Sequence, residues 1–173
     1  MELIKSKSQN SIIQQRKELF WAKIFCNYIN NSSTGFDYEV QSLSTDTIDA
    51  KCISRSGKYP ELEMQLTWVK ETEFNPKKSP TKYLLFRQDY IEEAIVRKTK
   101  DYTKRNENVN NIILLLQGYM AKPWAKDILT DAFCSKYKTN PFNGIYYLVR
   151  PSVGLSEKED SKNGSVIPIK ACF

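Results

Sequence analysis

The chain contains no histidine, and its four cysteines (Cys26, Cys52, Cys134 and Cys172) stand far apart with no C-x-x-C pair. That absence argues against a Cys/His zinc site and any mechanism built on a catalytic imidazole. The cysteines read as small apolar residues in a reducing compartment. No run approaches the roughly 18 apolar residues of a membrane span. Met1 to Lys7 lack the apolar stretch of a signal peptide, so the expected location is the cytoplasm, with no membrane attachment. A Gly-rich phosphate loop, an internal repeat and a heptad seam are all missing. So is a Ser or Cys nucleophile motif.

What remains is an ordinary globular composition, 40% hydrophobic and 27% charged over 173 residues, long enough for one domain with a sizeable core. The net charge is +6, and it is unevenly spread: between Pro76 and Arg105 nine bases face four acids. A solvated helix face accounts for such a segment, and so does a footprint for a polyanion.

Apolar periodicity predicts a helix from about Asn10 to Asn30, with Ile13, Phe20, Ile24 and Tyr28 on one line and Trp21, Phe25 and Ile29 on the next. Three strands follow, Phe36 to Ser44, Thr47 to Ser54 and Tyr59 to Val69, joined by turns short enough for antiparallel hairpins. Lys70 to Lys82 reads as a loop and Arg87 to Arg105 as a helix with Tyr90, Ile91, Ala94, Ile95 and Tyr102 buried. Asn111 to Gly118 is a continuous apolar run, the signature of a strand covered on both faces. Pro123 suits the first turn of another helix, carrying Trp124, Ile128, Leu129, Ala132 and Phe133. Gly144 to Val149 and Val166 to Phe173 complete the strands.

Two acids stand out. If the turn between the second and third strands centres on Ser56, Asp49 lies opposite Glu63, with Cβ atoms ~4.5–5.5 Å apart. Two carboxylates that close repel unless the sheet face is solvated or a divalent cation bridges them. Both arrangements are open. Glu18 is the sole acid between Gln9 and Asn31, within the first predicted helix. It falls in line with Trp21, Ala22, Phe25 and Ile29, either at the edge of the apolar stripe or aimed at a metal.

The order helix, three antiparallel strands, helix, strand, together with Asp49 and then Glu63-Met64-Gln65, resembles the PD-(D/E)XK nuclease superfamily. The resemblance implies an α/β fold, a restriction endonuclease-like αβββαβ core with a mixed central sheet flanked by helices. Residues 1–150 would form a single nuclease-like domain, with 151–173 a C-terminal extension holding an edge strand. It also implies metal-dependent hydrolysis of DNA phosphodiesters with Mg²⁺ or Mn²⁺ as cofactor. Asp49, Glu63 and Gln65 would be the catalytic set. Asp49, Glu63, the backbone carbonyl of Met64 and Glu18 would hold the metal. Gln65 occupies the slot where the family usually has lysine; an amide can orient water but supplies no charge. Lys51, on the same face as Asp49, is a substitute cation. Lys51, Lys77, Lys78, Arg97, Lys98 and Lys100 are the expected contacts to DNA, mainly phosphates, and Thr67 continues the groove. The neutral amide equally suits a non-catalytic module on the same scaffold that binds nucleic acid or protein. A small-molecule enzyme is the third reading, and a homodimer is allowed, though no surface points to one.

Overall fold

The computed structural model describes residues 2–32, 34–42, 48–69, 80–118, 122–149 and 166–172. Its elements run α1 (Glu2–Ser32), β1 (Tyr38–Ser42), β2 (Ala50–Ser54), β3 (Leu62–Trp68), α2 (Pro80–Lys104), β4 (Ile112–Gln117), α3 (Lys122–Ile128), α4 (Asp131–Ser135), β5 (Gly144–Leu148) and β6 (Val166–Lys170). The strands form a single mixed sheet in sequence order, six wide among the described residues. The β1–β2, β2–β3 and β5–β6 pairs are antiparallel, whereas β3, β4 and β5 run parallel. No helix among the described residues is long and apolar enough to cross a membrane.

Helices cover both sheet faces. Trp21, Ile24, Phe25 and Ile29 of α1 pack on Ala50, Cys52, Met64, Ile113, Leu115 and Tyr146. On the other face Ile91, Ala94 and Ile95 of α2, with Ile128 and Phe133, pack on Ile112, Leu114, Leu116, Ile145 and Tyr147. The alternation along β4 sends odd residues to one core and even residues to the other. Every residue of that strand is buried, which is why its sequence is an unbroken apolar run. Truncating Leu115, at 0% exposure, to alanine costs about 2–5 kcal/mol of stability.

Local signals set the element ends. Gly35, at φ 109°, turns the chain after α1. The Asn30 side chain then bonds both the carbonyl and the amide of Tyr38, each at 2.8 Å, tying the helix end to the first strand. Gly118 follows β4 because a Cβ there would overlap the Tyr147 hydroxyl.

Several boundaries differ from the sequence reading. The first helix begins at Glu2, ahead of Asn10. The second begins at Pro80, inside the segment expected as a loop; proline lacks only an N–H that a first turn leaves unpaired. The third predicted helix is two, because Thr130 adopts extended backbone and caps α4, its side chain accepting from the Phe133 amide at 3.3 Å.

The most consequential difference is the β2–β3 register. Gly57 holds φ at 68° and donates its N–H to Ser54 at 3.1 Å. The Asp37 carboxylate ties the Ser54 hydroxyl and the Ser56 amide, both at 2.7 Å. The hairpin therefore centres on Gly57 and not on Ser56, and each cross-strand partner moves by two residues. Lys51 stands opposite Glu63, and Ala50 opposite Met64.

Candidate functional site

Asp49 immediately precedes β2, and its backbone N–H donates to the Met64 carbonyl at 3.0 Å. Its carboxylate consequently lies beside Gln65, not Glu63. Asp49 Oδ2 accepts the Leu66 amide at 2.7 Å and Gln65 Nε2 at 2.5 Å. The same Gln65 nitrogen donates to the Leu66 carbonyl at 3.1 Å. Gln65 Oε1 in turn accepts the Tyr102 hydroxyl at 2.7 Å. A helix tyrosine thus fixes a strand amide, and that amide fixes the aspartate. Gln65 and Tyr102 are buried, at 7% and 3% exposure. A network so enclosed has little freedom to rearrange.

The electrostatics centre on the same carboxylate. Burial pushes Asp49 up from 3.8 to about 6, and the nearby Glu18 charge adds to the rise. The Leu66 N–H and the Lys98 ammonium oppose it. Burial also draws Lys98 below the usual lysine range, against the pull of Asp49 and Asp101, while Arg97 and Arg105 lower it further. Glu18 belongs to α1 and Lys98 to α2, helices on opposite faces of the sheet. Both act on Asp49, which sits where β2 begins. A carboxyl group that titrates near neutrality, inside a polar cluster, can exchange a proton under working conditions.

The other expected site residues fall differently. Glu63 pairs with Lys51 at 3.1 Å, and Lys51 also reaches Glu61 at 3.2 Å. Glu63 therefore does not join Asp49, and Lys51 is engaged away from it and does not act as the substitute cation. The Met64 carbonyl is committed to the Asp49 amide, while its side chain is fully buried under α1. Arg97 Nη2 approaches Thr67 Oγ1 at 3.5 Å, next along β3 from Gln65. Lys100 is exposed on the outer side of α2. Lys77 and Lys78 lie outside the described residues. Among the described residues no three His, Cys, Asp or Glu side chains converge on one point.

No family model, curated protein or solved structure matches the chain. A functional site in this chain therefore has to be judged by its chemistry alone.

Periodicity alone puts Tyr102 in a buried stripe and gives it no partner. A buried tyrosine still needs a partner for its hydroxyl, and Lys98 lies one helical turn before it. Those two facts together pointed to a polar centre under α2. The identity of the partner, Gln65, depended on the register.

Proposed function

We propose that the Asp49 centre binds a divalent cation and hydrolyses phosphodiester bonds in DNA, on a restriction endonuclease-like αβββαβ core. The observation that carries the reading is Asp49 itself. It is a largely buried carboxylate at a strand start, with Glu18 and Lys98 acting on it from helices on opposite sheet faces. The succession of α1, three antiparallel strands, α2 and β4 supports it, as does the excess of bases on α2.

The donors suit the cation. Asp49 and Glu18 offer hard carboxylate oxygens, and Mg²⁺ needs only one or two of these when water and substrate phosphate complete its shell. Glu63 and the Met64 carbonyl are withdrawn from that set by Lys51 and by the strand ladder. When bound, the ion would activate water and offset charge on the phosphate. The residues of the chain would do the rest. Tyr102 would hold Gln65, and Gln65 would hold Asp49 in place. Lys98 and Arg97 would draw the phosphate backbone toward the centre, and Lys100 would add to the field from outside. Burial of Lys98 strengthens its attraction for an anion, because less water screens it.

Asp49→Ala is the direct test, read as Mn²⁺-dependent nicking of supercoiled plasmid. Nicking should disappear while circular dichroism stays that of the parent. Undiminished nicking would refute the assignment.

A second reading, a non-catalytic nucleic-acid-binding or protein-binding module, is favoured by one specific observation. Gln65 Nε2 bridges Asp49 Oδ2 and the Leu66 carbonyl, so a neutral donor already takes one of the carboxylate oxygens that a cation would use. Thermal melting with and without Mn²⁺ separates the two readings. A nuclease gains about 2.7 kcal/mol at a cation concentration a hundredfold above Kd, and a module without a cation site gains nothing.

A further inference from the structure

The two sheet edges among the described residues are not alike. On β6, Pro168 stands exposed in mid-strand and has no N–H to offer a neighbour. On β1 no proline intervenes. The Asn30 side chain takes both backbone groups of Tyr38, so those groups point away from β2. Antiparallel alternation then turns the amide and carbonyl of Val40 outward as well. Asn30 imitates the first rung of a further strand and leaves the next rung open among the described residues.

Beside that rung lies a groove of about 840 Å³, walled by α1 on one side and by β1 on the other. This volume falls in the class that takes a small ligand or a few peptide residues. Leu19, Phe20 and Val40 line it and are only half-buried. Its charged residues are Arg16, Lys23, Arg55 and Glu39. Arg55 pairs with Glu39 at 3.1 Å, which leaves Arg16 and Lys23 without an ion pair among the described residues. They stand seven positions apart on α1, about 10 Å along the helix axis. An extended chain spans that distance in about three residues at ~3.3 Å each. Acidic side chains two to four positions apart on one side of a strand would reach both.

We propose that this groove takes an extended acidic segment of a partner protein, laid along β1 and bonded to the Val40 backbone. Its carboxylates meet Arg16 and Lys23, and an apolar side chain rests on Leu19 and Phe20. Main-chain bonds supply affinity in this mode of recognition, and side-chain pockets supply choice. An acidic partner fits better than a basic or neutral one because the unpaired charges of the groove are both positive. The Asp49 centre is not involved, so this inference stands or falls apart from the nuclease reading.

Fluorescence anisotropy with a short labelled peptide, glutamates alternating with valine and threonine, tests it on the full chain. Saturable binding is expected. Arg16→Glu with Lys23→Glu should weaken it by at least about tenfold, as expected when two complementary charges become repulsive. The doubly reversed chain should instead prefer a peptide with lysine in place of glutamate. Backbone N-methylation of the acidic peptide at alternate residues should also weaken binding, because it removes strand addition while keeping the charges. No saturable binding, or equal binding of the acidic and lysine peptides by the parent chain, overturns the proposal. So does displacement of the peptide by duplex DNA that depends on the same two cations, which would make the groove a nucleic-acid surface. Self-association that the peptide cannot reverse overturns it in favour of a second copy. Nicking at Asp49 should be unchanged in the doubly reversed chain.

Discussion

Two neighbouring rungs of the β2–β3 hairpin carry similar polar chemistry and come to opposite ends. At one, Lys51 faces Glu63 with both side chains partly exposed, and its ammonium is shared with Glu61. At the other, Asp49 lies beside Gln65, under Tyr102 of α2. The residues are two apart along each strand and share a face. What separates them is cover. Solvent supports the first rung, which adds little to stability because exposed ion pairs are well screened. The second is largely covered, so the Asp49 carboxyl rises to about 6, and its Oδ2 is held by Gln65 Nε2 and the Leu66 amide. Covering the rung therefore lets the Asp49 carboxyl keep its proton to a higher pH than an ordinary carboxylate.

The largest effect should come from erasing that difference at its source. Asp49→Asn should lower nicking at least a hundredfold and should also raise thermal stability. Below about pH 4 folded and unfolded chains both carry a protonated Asp49. Between the usual carboxylate value and about 6, the unfolded chain ionises first and the folded chain keeps the proton, so stability falls as pH rises through that window. A rise from 3.8 to about 6, at about 1.4 kcal/mol per pH unit, sets a ceiling of roughly 3 kcal/mol on the loss. Urea denaturation at a series of pH values should show the decline in the parent and a flatter profile in the variant. A gain in stability with loss of function is the signature of a strained site. Equal pH dependence in both chains would mean that Asp49 is not the titrating group.

Much of this architecture was legible in the sequence. Alternation in Leu62 to Trp68 and the apolar run from Ile112 set two strands and their faces correctly, because burial on a sheet leaves a period of two or none. The faces of Asp49, Glu63 and Gln65 were also legible, since a shift of register by two residues preserves parity. Which of them touch was not. That depends on whether Ser56 or Gly57 heads a turn, a choice made by Asp37 bonding back across the hairpin. Likewise Pro80 signals a loop as readily as a helix start, and only the packing of α2 decides. Sequence patterns carry periodicity well and tertiary hydrogen bonds poorly, and the candidate site is made of the latter.

The contrast between the rungs can be sharpened by thinning the cover. Tyr102→Phe removes the donor to Gln65 Oε1 and leaves that oxygen buried without it, which should cost about 1–3 kcal/mol. The amide, no longer held, should also slow nicking. Restoring a donor with histidine or glutamine at the same position should recover part of the rate if the role is positioning. A smaller effect is expected from Lys98→Met. Its ammonium favours the ionised form of Asp49, so its loss should move the acid limb of the nicking profile to higher pH. An unmoved limb would show that Lys98 serves the substrate alone.

The smallest effect should come from the exposed rung, and it decides between the two carboxylates. Glu63→Ala breaks the pair with Lys51 and leaves Glu61 to take the ammonium. Neither event reaches Asp49, whose oxygen contacts run to Gln65 and Leu66. Nicking should therefore stay at the parent level, and the melting temperature should barely move. A sheet that placed Glu63 against Asp49 would give the opposite result, with activity lost as completely as in Asp49→Ala. The two outcomes differ by orders of magnitude in rate, so one assay of this variant fixes the functional register of the hairpin in solution. It does so without any assumption about which cation the protein prefers.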